Sequence, residues 1–523
     1  MTDAVGRFPA DTLDQFVLGP AARTPDKPAV IERAGGALVT VTYGELARAV
    51  DARASALAEA GVGTGDRVVI ESQTSAAAIA LLLACSRLGA AFVPVDPDTP
   101  DLRVRAIVEA TDPVLHLRPA GRPARDLPST TAVAEFGPDG LVAPAGKPRQ
   151  RRRRTVVGTD PAYLIFTSGT TGQPKGVVLS HHAALAFYRG AQRFPVVAAD
   201  DVVASTSPLA FDVSLFDLGV TLGSGATLAP VPREFLSFPR RLLGFLRDAG
   251  ATVVHGVPSL WRPLLRHEPD GLAALDRLRG ILFAGENFPL AELRRLRELH
   301  PGLRVVNAFG ATETVACSFA EVPDPLPAGA ERLSIGDGYP GAELLLVDSD
   351  GSVVDAPGAV GEIHVRCPSL FSGYWDDPAA TRQVLVPDPL EPRSGQLVYR
   401  SGDLAYRGAD GELYFCGRTD SMVKIRGNRI ELGEVERRLL DHPTVGAAVA
   451  VAAPAADGEP SLHAFVVPRQ GATVGAAELV ERCRRTMPAY MVPARFHFLT
   501  ELPLTANGKA NRTALAELAR AAR

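Results

Sequence analysis

Residues Tyr163–Gly176 read Tyr-Leu-Ile-Phe-Thr-Ser-Gly-Thr-Thr-Gly-Gln-Pro-Lys-Gly. The apolar run Tyr163–Phe166 predicts a buried strand that opens into a loop dense in Gly, Ser and Thr, with Lys175 near its end. Glycines permit unusual dihedrals and a close approach of the backbone. Backbone N–H groups and hydroxyls can then wrap a polyphosphate, and a lysine adds a cation. The order excludes a Walker A loop, which needs G-x-x-x-x-G-K-[ST]; here Lys175 follows Pro174 and precedes Gly176.

The flanking sequence has the rhythm of an α/β fold. Tyr43–Ala60 spaces Leu46, Val50, Leu57 and Ala58 as one helical face, and Arg67–Glu71 reads as a buried strand. A helix through Ala84 and a strand Ala91–Val95 follow. This predicts parallel sheets with helices on both faces. Gly61, Gly63 and Gly65 nearly spell a dinucleotide fingerprint, but Asp66 comes next and the glycines precede a strand instead of following one, so they read as a turn. Residues 119–154 are rich in Pro, Gly, Ala and Arg and read as a linker or surface segment. Within them the run Arg151–Arg154 is a solvated loop or, alternatively, a docking patch for an acidic partner. Helix–strand alternation resumes after Thr155 and continues to about Asn307; from Leu333 to Tyr414 the segments are shorter and strand-like, with turns at Asp350-Gly351 and Asp410-Gly411. Ser421–Arg523 carries a compact α/β pattern of its own.

Composition narrows the function. The 523 residues hold 55 Lys and Arg against 59 Asp and Glu, a net charge of −4, which argues against a nucleic-acid binder. Five scattered cysteines form no C-x-x-C pair, which suits a reducing cytoplasm and gives no zinc signature. The acidic start up to Phe16 lacks the apolar core of a signal peptide, and the apolar run Ala76–Cys85 is too short to span a membrane.

The 163–176 segment closely resembles the signature of the adenylate-forming superfamily: acyl-CoA synthetases, luciferases and nonribosomal peptide synthetase adenylation domains. The likeness extends over nearly the whole chain. It is carried by Val41–Leu46, Arg87–Asp96, Asn307–Glu313, Gly361-Glu362 through Trp375, Tyr399–Leu404, Gly417–Asp420, Val423–Glu434 and Leu504–Lys509. The resemblance implies a large N-terminal domain over residues 1–419, built of parallel αβαβα sheets plus a small β-barrel-like subdomain. A small mobile α+β domain over 420–523 would rotate about a hinge at Asp420.

The resemblance also implies roles. Forming an adenylate joins a carboxylate to the α-phosphate of ATP, so a cation must offset the repulsion of two anions; Lys509 is expected to supply it. Thr167, Ser168, Gly169, Thr170, Thr171, Gly172 and Lys175 would hold the phosphates. Asn307, Ala308, Phe309 and Gly310 would belong to the ATP site, with Phe309, where the family usually has Tyr, stacking on adenine, and Ala311 standing where the family usually has Pro. Thr312 would touch phosphate, Asp403 and Arg418 would hold ribose, and Glu313 would bind Mg²⁺. After rotation, Lys424 and Gly427 would replace Lys509 at the site for transfer to a thiol.

Asp212, in Leu209–Ser214, matches the aspartate by which amino-acid-activating members pair with the substrate ammonium. Such a pair at 4 Å is worth about 4 kcal/mol at an effective dielectric of ~20. The alternative is a helix N-cap near Ser214. By resemblance the substrate pocket comprises Asp212, Val213, Phe216, His255, Leu282, Ala284, Ala308, Ala316 and Cys317. Its bulky members and the lack of a second acid favour alanine, with serine, glycine or proline next. The chain carries no carrier-protein serine motif after Lys509, so the expected acceptor is a separate phosphopantetheinyl carrier protein. A CoA ligase for a carboxylic acid is the alternative within the family, and an ATP-sensing binding module is the alternative outside it.

Overall fold

Strand faces alternate strictly where the chain passes through two stacked sheets. In Arg67–Glu71, Val68 and Ile70 join one apolar cluster while Val69 joins another on the opposite face. In Gly280–Ala284, Leu282 faces one way, and Ile281 and Phe283 face the other. Strands covered on both faces read as continuous apolar runs, and these do. The computed structural model describes residues 10–128, 131–138, 140–142, 155–168, 174–194, 196–327, 329–420, 422–455, 459–504 and 510–522.

Among the described residues there are two eight-stranded sheets. The first runs, edge to edge, through strands starting at Ser318, Arg304, Gly280, Val253, Val202, Thr227, Pro28 and Ala37, parallel except at its two ends. The second runs through strands starting at Gly373, Lys175, Pro161, Ala91, Arg67, Leu115, Val133 and Gly140. Between them lie three helices, Ala76–Leu88, His181–Arg193 and Asp212–Gly223, whose side chains share one cluster with both sheets. A helix enclosed on nearly all sides is apolar almost all round, and ten of the thirteen residues in Ala76–Leu88 are buried. Outer helices such as Pro239–Asp248 and Asp101–Thr111 cover the far faces. This is the αβαβα stack expected from the sequence.

The barrel-like subdomain takes the form of a five-stranded antiparallel sheet, with strands at Glu343–Val347, Val360–Arg366, Leu385–Pro387, Leu397–Arg407 and Leu413–Arg418. Beyond Asp420 a two-stranded ribbon, Met422–Ile425 with Asn428–Glu431, leads into the three-stranded sheet Val445–Pro454, Pro460–Pro468 and Arg495–Phe498. These elements and their helices have cores of their own, centred on Ile430, Val435, Ala464 and Leu479 and on Val451, Phe465 and Leu515.

The described part of the 119–154 segment, residues 119–128, 131–138 and 140–142, contains strands where a linker was expected. Val133–Gly137 adds a parallel strand beside Leu115–Pro119, and Gly140–Val142 turns back on it. Ala134 and Phe136 alternate inward, a short pattern obscured by the surrounding Pro and Gly. Arg125 seals the region inward by donating to both oxygens of buried Glu71 and to the Pro97 and Thr99 carbonyls.

The helix carrying Asp212 and Phe216 is held in place by a close approach. A Cβ on Gly219 would lie 2.1 Å from the Tyr188 ring. That ring cannot step aside, because its hydroxyl donates to the Leu215 carbonyl at 2.9 Å. Alanine in place of a mid-helix glycine ordinarily stabilises by about 1 kcal/mol. Overpacking costs about 1–3 kcal/mol, so Gly219→Ala is expected to lower the melting temperature, measured by calorimetry. An unchanged or higher melting point would refute this close-packing account.

Candidate active site

The carboxyl ends of the first sheet's parallel strands meet the second sheet and the small C-terminal unit at one deep cavity, where open α/β sheets bind ligands. Asp212, Val213, Phe216, Leu282, Ala284, Ala308 and Ala316 line it, as do Thr167, Ser168, Phe309, Gly310, Thr312, Asp403 and Arg418. From beyond Asp420 come Lys424, Gly427, Arg429 and Tyr490. Gly169, Thr170, Thr171, Gly172, Lys509 and the Arg151–Arg154 run lie outside the described residues.

Asp212 is the first residue of its helix, with Phe211 at the N-cap position and no side-chain cap bond. The capping alternative therefore does not describe it. Its carboxylate is recessed against the cavity, where it accepts from the Val213 N–H at 2.8 Å and from Thr312. Among the described residues it forms no ion pair. Burial pushes its carboxyl up from the usual aspartate range, and the bonds from Thr312 and Val213 only partly offset this.

His255 and Cys317 do not line the cavity. His255 is fully buried and sits behind Phe216, ring centroids 5.6 Å apart, with Nδ1 at 2.7 Å from Asp217, which also accepts from Ser205. It is a packed polar knot supporting the floor. Cys317 points away toward Thr314 at 3.2 Å. Asn307 also turns aside, its amide donating to the Ser334 carbonyl. Val315, between Glu313 and Ala316, has φ 69°, a strained conformation for a β-branched residue, and lines the cavity. A strained wall residue of this kind leaves no mark in sequence periodicity.

Glu313 is wholly buried. Burial would raise its carboxyl, but the Arg429 charge and the Tyr374 hydrogen bond outweigh that and hold it below the usual range. Arg429 donates to both carboxylate oxygens at 3.2 and 3.3 Å, and Tyr374 Oη donates to one at 2.7 Å. Among the described residues no three His, Cys, Asp or Glu side chains cluster as a metal cage. A lone carboxylate still fits Mg²⁺, which takes one or two carboxylates with substrate phosphates and water. Glu313 would be free for that ion only with Arg429 withdrawn.

Arg418 reaches Asp403, the Ser401 carbonyl and both oxygens of Asp420, joining the expected ribose residue to the expected hinge. Lys175 Nζ lies 5.2 Å from the Tyr374 ring centroid. Lys424 Nζ lies 5.6 Å from the Phe309 ring centroid and 3.5 Å from the Gly310 carbonyl. Further contacts close the cavity: Arg103–Glu434 at 2.7 Å, Ser168 with the backbone of Arg429 and Glu431, and Phe211 against Tyr490 at 5.9 Å. Gly427, at φ +72°, approaches so closely that a Cβ would stand 2.5 Å from Val257 Cγ1. Tyr490 lies outside every quoted motif, and Arg429 lies inside one without a local sign of its partner, so tertiary docking is what reveals both.

Two family models match the chain: the AMP-binding enzyme over residues 19–375 and its C-terminal domain over 434–509. The chain belongs to the AMP-binding enzyme family. It is similar to an L-proline--[L-prolyl-carrier protein] ligase of Streptomyces coelicolor, 35% identical with 97% of this chain and 95% of that protein covered. The crystal structure of IdnL1 is 51% identical with TM-score 0.88, covering 95% of this chain and 100% of that one. A structure of holo-PA1221, an NRPS protein containing adenylation and PCP domains bound to a vinylsulfonamide inhibitor, is 27% identical with TM-score 0.81, covering 97% and 84%. Among the described residues no helix is long and apolar enough to cross a membrane.

The raised Asp212 carboxyl has a signed consequence. Only the ionised form attracts an ammonium group, and its population shrinks as pH falls toward a raised pKa. The amino-acid KM is therefore expected to rise on acidification while the ATP KM changes less. Asp212→Asn should raise the amino-acid KM roughly a hundredfold or more, since losing one partner of a desolvated pair costs about 3–5 kcal/mol, and should flatten that pH dependence. A mutant that keeps the parent KM and pH profile would remove Asp212 from ammonium recognition.

Proposed function

We propose that this chain condenses a small, uncharged amino acid with ATP to an aminoacyl-AMP and then transfers the aminoacyl group to the phosphopantetheine thiol of a carrier protein. The observation carrying this reading is Asp212: a recessed carboxylate facing the cavity without an ion pair among the described residues. A recessed carboxylate is costly to leave charged, and a substrate ammonium relieves that cost.

In the first step a substrate carboxylate oxygen attacks the α-phosphorus and pyrophosphate leaves. Lys509 supplies the ammonium between the two anions, Thr167, Ser168, Gly169, Thr170, Thr171, Gly172 and Lys175 hold the leaving phosphates, and Asp403 with Arg418 holds the ribose. Mg²⁺ on Glu313 would neutralise phosphate charge. In the second step the thiol sulfur attacks the acyl carbon and AMP leaves. Rotation at Asp420 exchanges Lys509 for the ribbon holding Lys424 and Gly427. The contacts of Lys424, Gly427 and Arg429 with the cavity support the reading that this arrangement is the transfer stage, with Arg429 standing at Glu313 in place of a metal. A second cavity shares Phe211, Asp212, Gly427 and Tyr490 with the first and extends past Val257 to Arg266 and Arg426. It supports a thiol arriving on a long anionic arm.

The side chains grouped with Asp212 in the cavity, Val213, Phe216, Leu282, Ala284, Ala308 and Ala316, are uncharged and partly bulky, which supports a small side chain. Alanine, serine, glycine and proline remain the candidates, and two relatives named for L-proline give proline added weight. ATP–pyrophosphate exchange over small α- and β-amino acids and their des-amino counterparts tests the reading. Exchange should follow the amino acids and collapse without the amino group, whereas equal exchange with des-amino acids would refute it. Loading of a phosphopantetheinyl carrier against coenzyme A then identifies the acceptor.

Two variants separate the steps. Lys509→Ala should abolish exchange while the protein remains folded. Gly427→Ala should retain exchange and lose carrier loading, because the added methyl meets Val257 only when the ribbon is docked. Normal exchange in the first, or normal loading in the second, would contradict these assignments.

A further inference from the structure

Glu313 is gripped from two directions, and only one grip belongs to its own domain. Arg429 lies beyond Asp420 and leaves with the small unit if that unit rotates. Tyr374 lies in the large domain and stays. Its hydroxyl donates to Glu313 Oε1 at 2.7 Å, and the N–H of Phe371 donates to the Glu313 carbonyl at 2.8 Å. The ring is itself fixed: Tyr374 pairs with Val177 in the strand that begins at Lys175, Thr381 Oγ1 accepts from its N–H at 2.9 Å, and Phe371 packs edge-on at 5.0 Å. On the ring face sits the Lys175 ammonium, 5.2 Å from the centroid, within cation–π range. One side chain thus touches both the expected metal carboxylate and the expected phosphate lysine.

We infer that Tyr374 is a positioning residue for the metal–phosphate assembly, orienting Glu313 through its hydroxyl and Lys175 through its ring. This rests on the reading of Glu313 as the metal-binding carboxylate. The hydroxyl occupies one lone pair of Oε1 and fixes the carboxylate plane, leaving Oε2 for a cation once Arg429 withdraws. Outer-shell donors of this kind typically change metal affinity 10–100-fold when removed. The ring keeps a flexible lysine near the carboxylate, so that one rigid element sets the spacing between the two groups that meet the same phosphates.

Direct binding tests this without turnover. Mn²⁺ is titrated, by calorimetry, into the full chain holding α,β-methylene-ATP, and the nucleotide analogue is titrated separately without metal. Tyr374→Phe keeps the ring and removes the hydroxyl. It should weaken Mn²⁺ binding about tenfold and leave metal-free nucleotide affinity and the far-UV circular dichroism unchanged. Tyr374→Leu, which also removes the ring, should weaken metal-free nucleotide binding as well. In a Glu313→Gln background Tyr374→Phe should have no further effect on Mn²⁺. Unchanged Mn²⁺ affinity in Tyr374→Phe, or the same loss with and without Glu313, would overturn the role of Tyr374. Unchanged Mn²⁺ affinity in Glu313→Gln alone would overturn the reading of Glu313, and the inference with it.

Discussion

Negative charge gathered at the mouth of two stacked sheets is the constraint on which the site depends. Asp403 and Glu313 are buried there, and Asp212 is recessed beside them. A carboxylate taken out of water needs a cation or several hydrogen bonds. Asp403 has Arg418 and Glu313 has Arg429. Asp212 has hydrogen bonds and, among the described residues, no ion pair. The site thereby distinguishes its own counter-charges from the one it leaves for a ligand, and this difference carries the proposed preference for an amino acid over a plain carboxylic acid.

The same logic links charge to domain position. Arg429 comes from the segment beyond Asp420, so its pairing with Glu313 exists only while the small unit is docked as seen. Arg103–Glu434 and the close fit of Gly427 on Val257 favour the same docking. A cation associated with pyrophosphate and the Arg429 guanidinium would compete for one carboxylate. On the proposed reading, departure of that cation with pyrophosphate would favour docking of the ribbon. Arg418 adds a second tie, because it spans Asp403 and Asp420.

Much of this was legible in the sequence, for physical reasons that can be named. Arg67–Glu71 and Ala91–Val95 were readable as strands because burial on both faces demands unbroken apolar runs. The strand before the phosphate loop was readable for the same reason, and Asp212, Thr312 and Asp403 fell in contiguous motifs. What failed depended on distance or on side-chain direction. His255 and Leu282 are register partners on adjacent strands, yet Asp217 draws the histidine behind Phe216 while the leucine faces the cavity. Cys317 is likewise drawn toward Thr314. The strand Val133–Gly137 was hidden by its Pro- and Gly-rich setting. Arg429 and Tyr374 lay inside quoted motifs, but nothing local marks them as the two partners of Glu313, which lies in a third motif.

The most direct test is a crystal structure of the chain with a non-hydrolysable aminoacyl-sulfamoyl adenosine in the cavity. The account predicts the ligand's ammonium nitrogen within hydrogen-bonding distance of an Asp212 carboxylate oxygen, with the ribose hydroxyls on Asp403. An ammonium group directed to solvent or to a backbone carbonyl, away from Asp212, would contradict it.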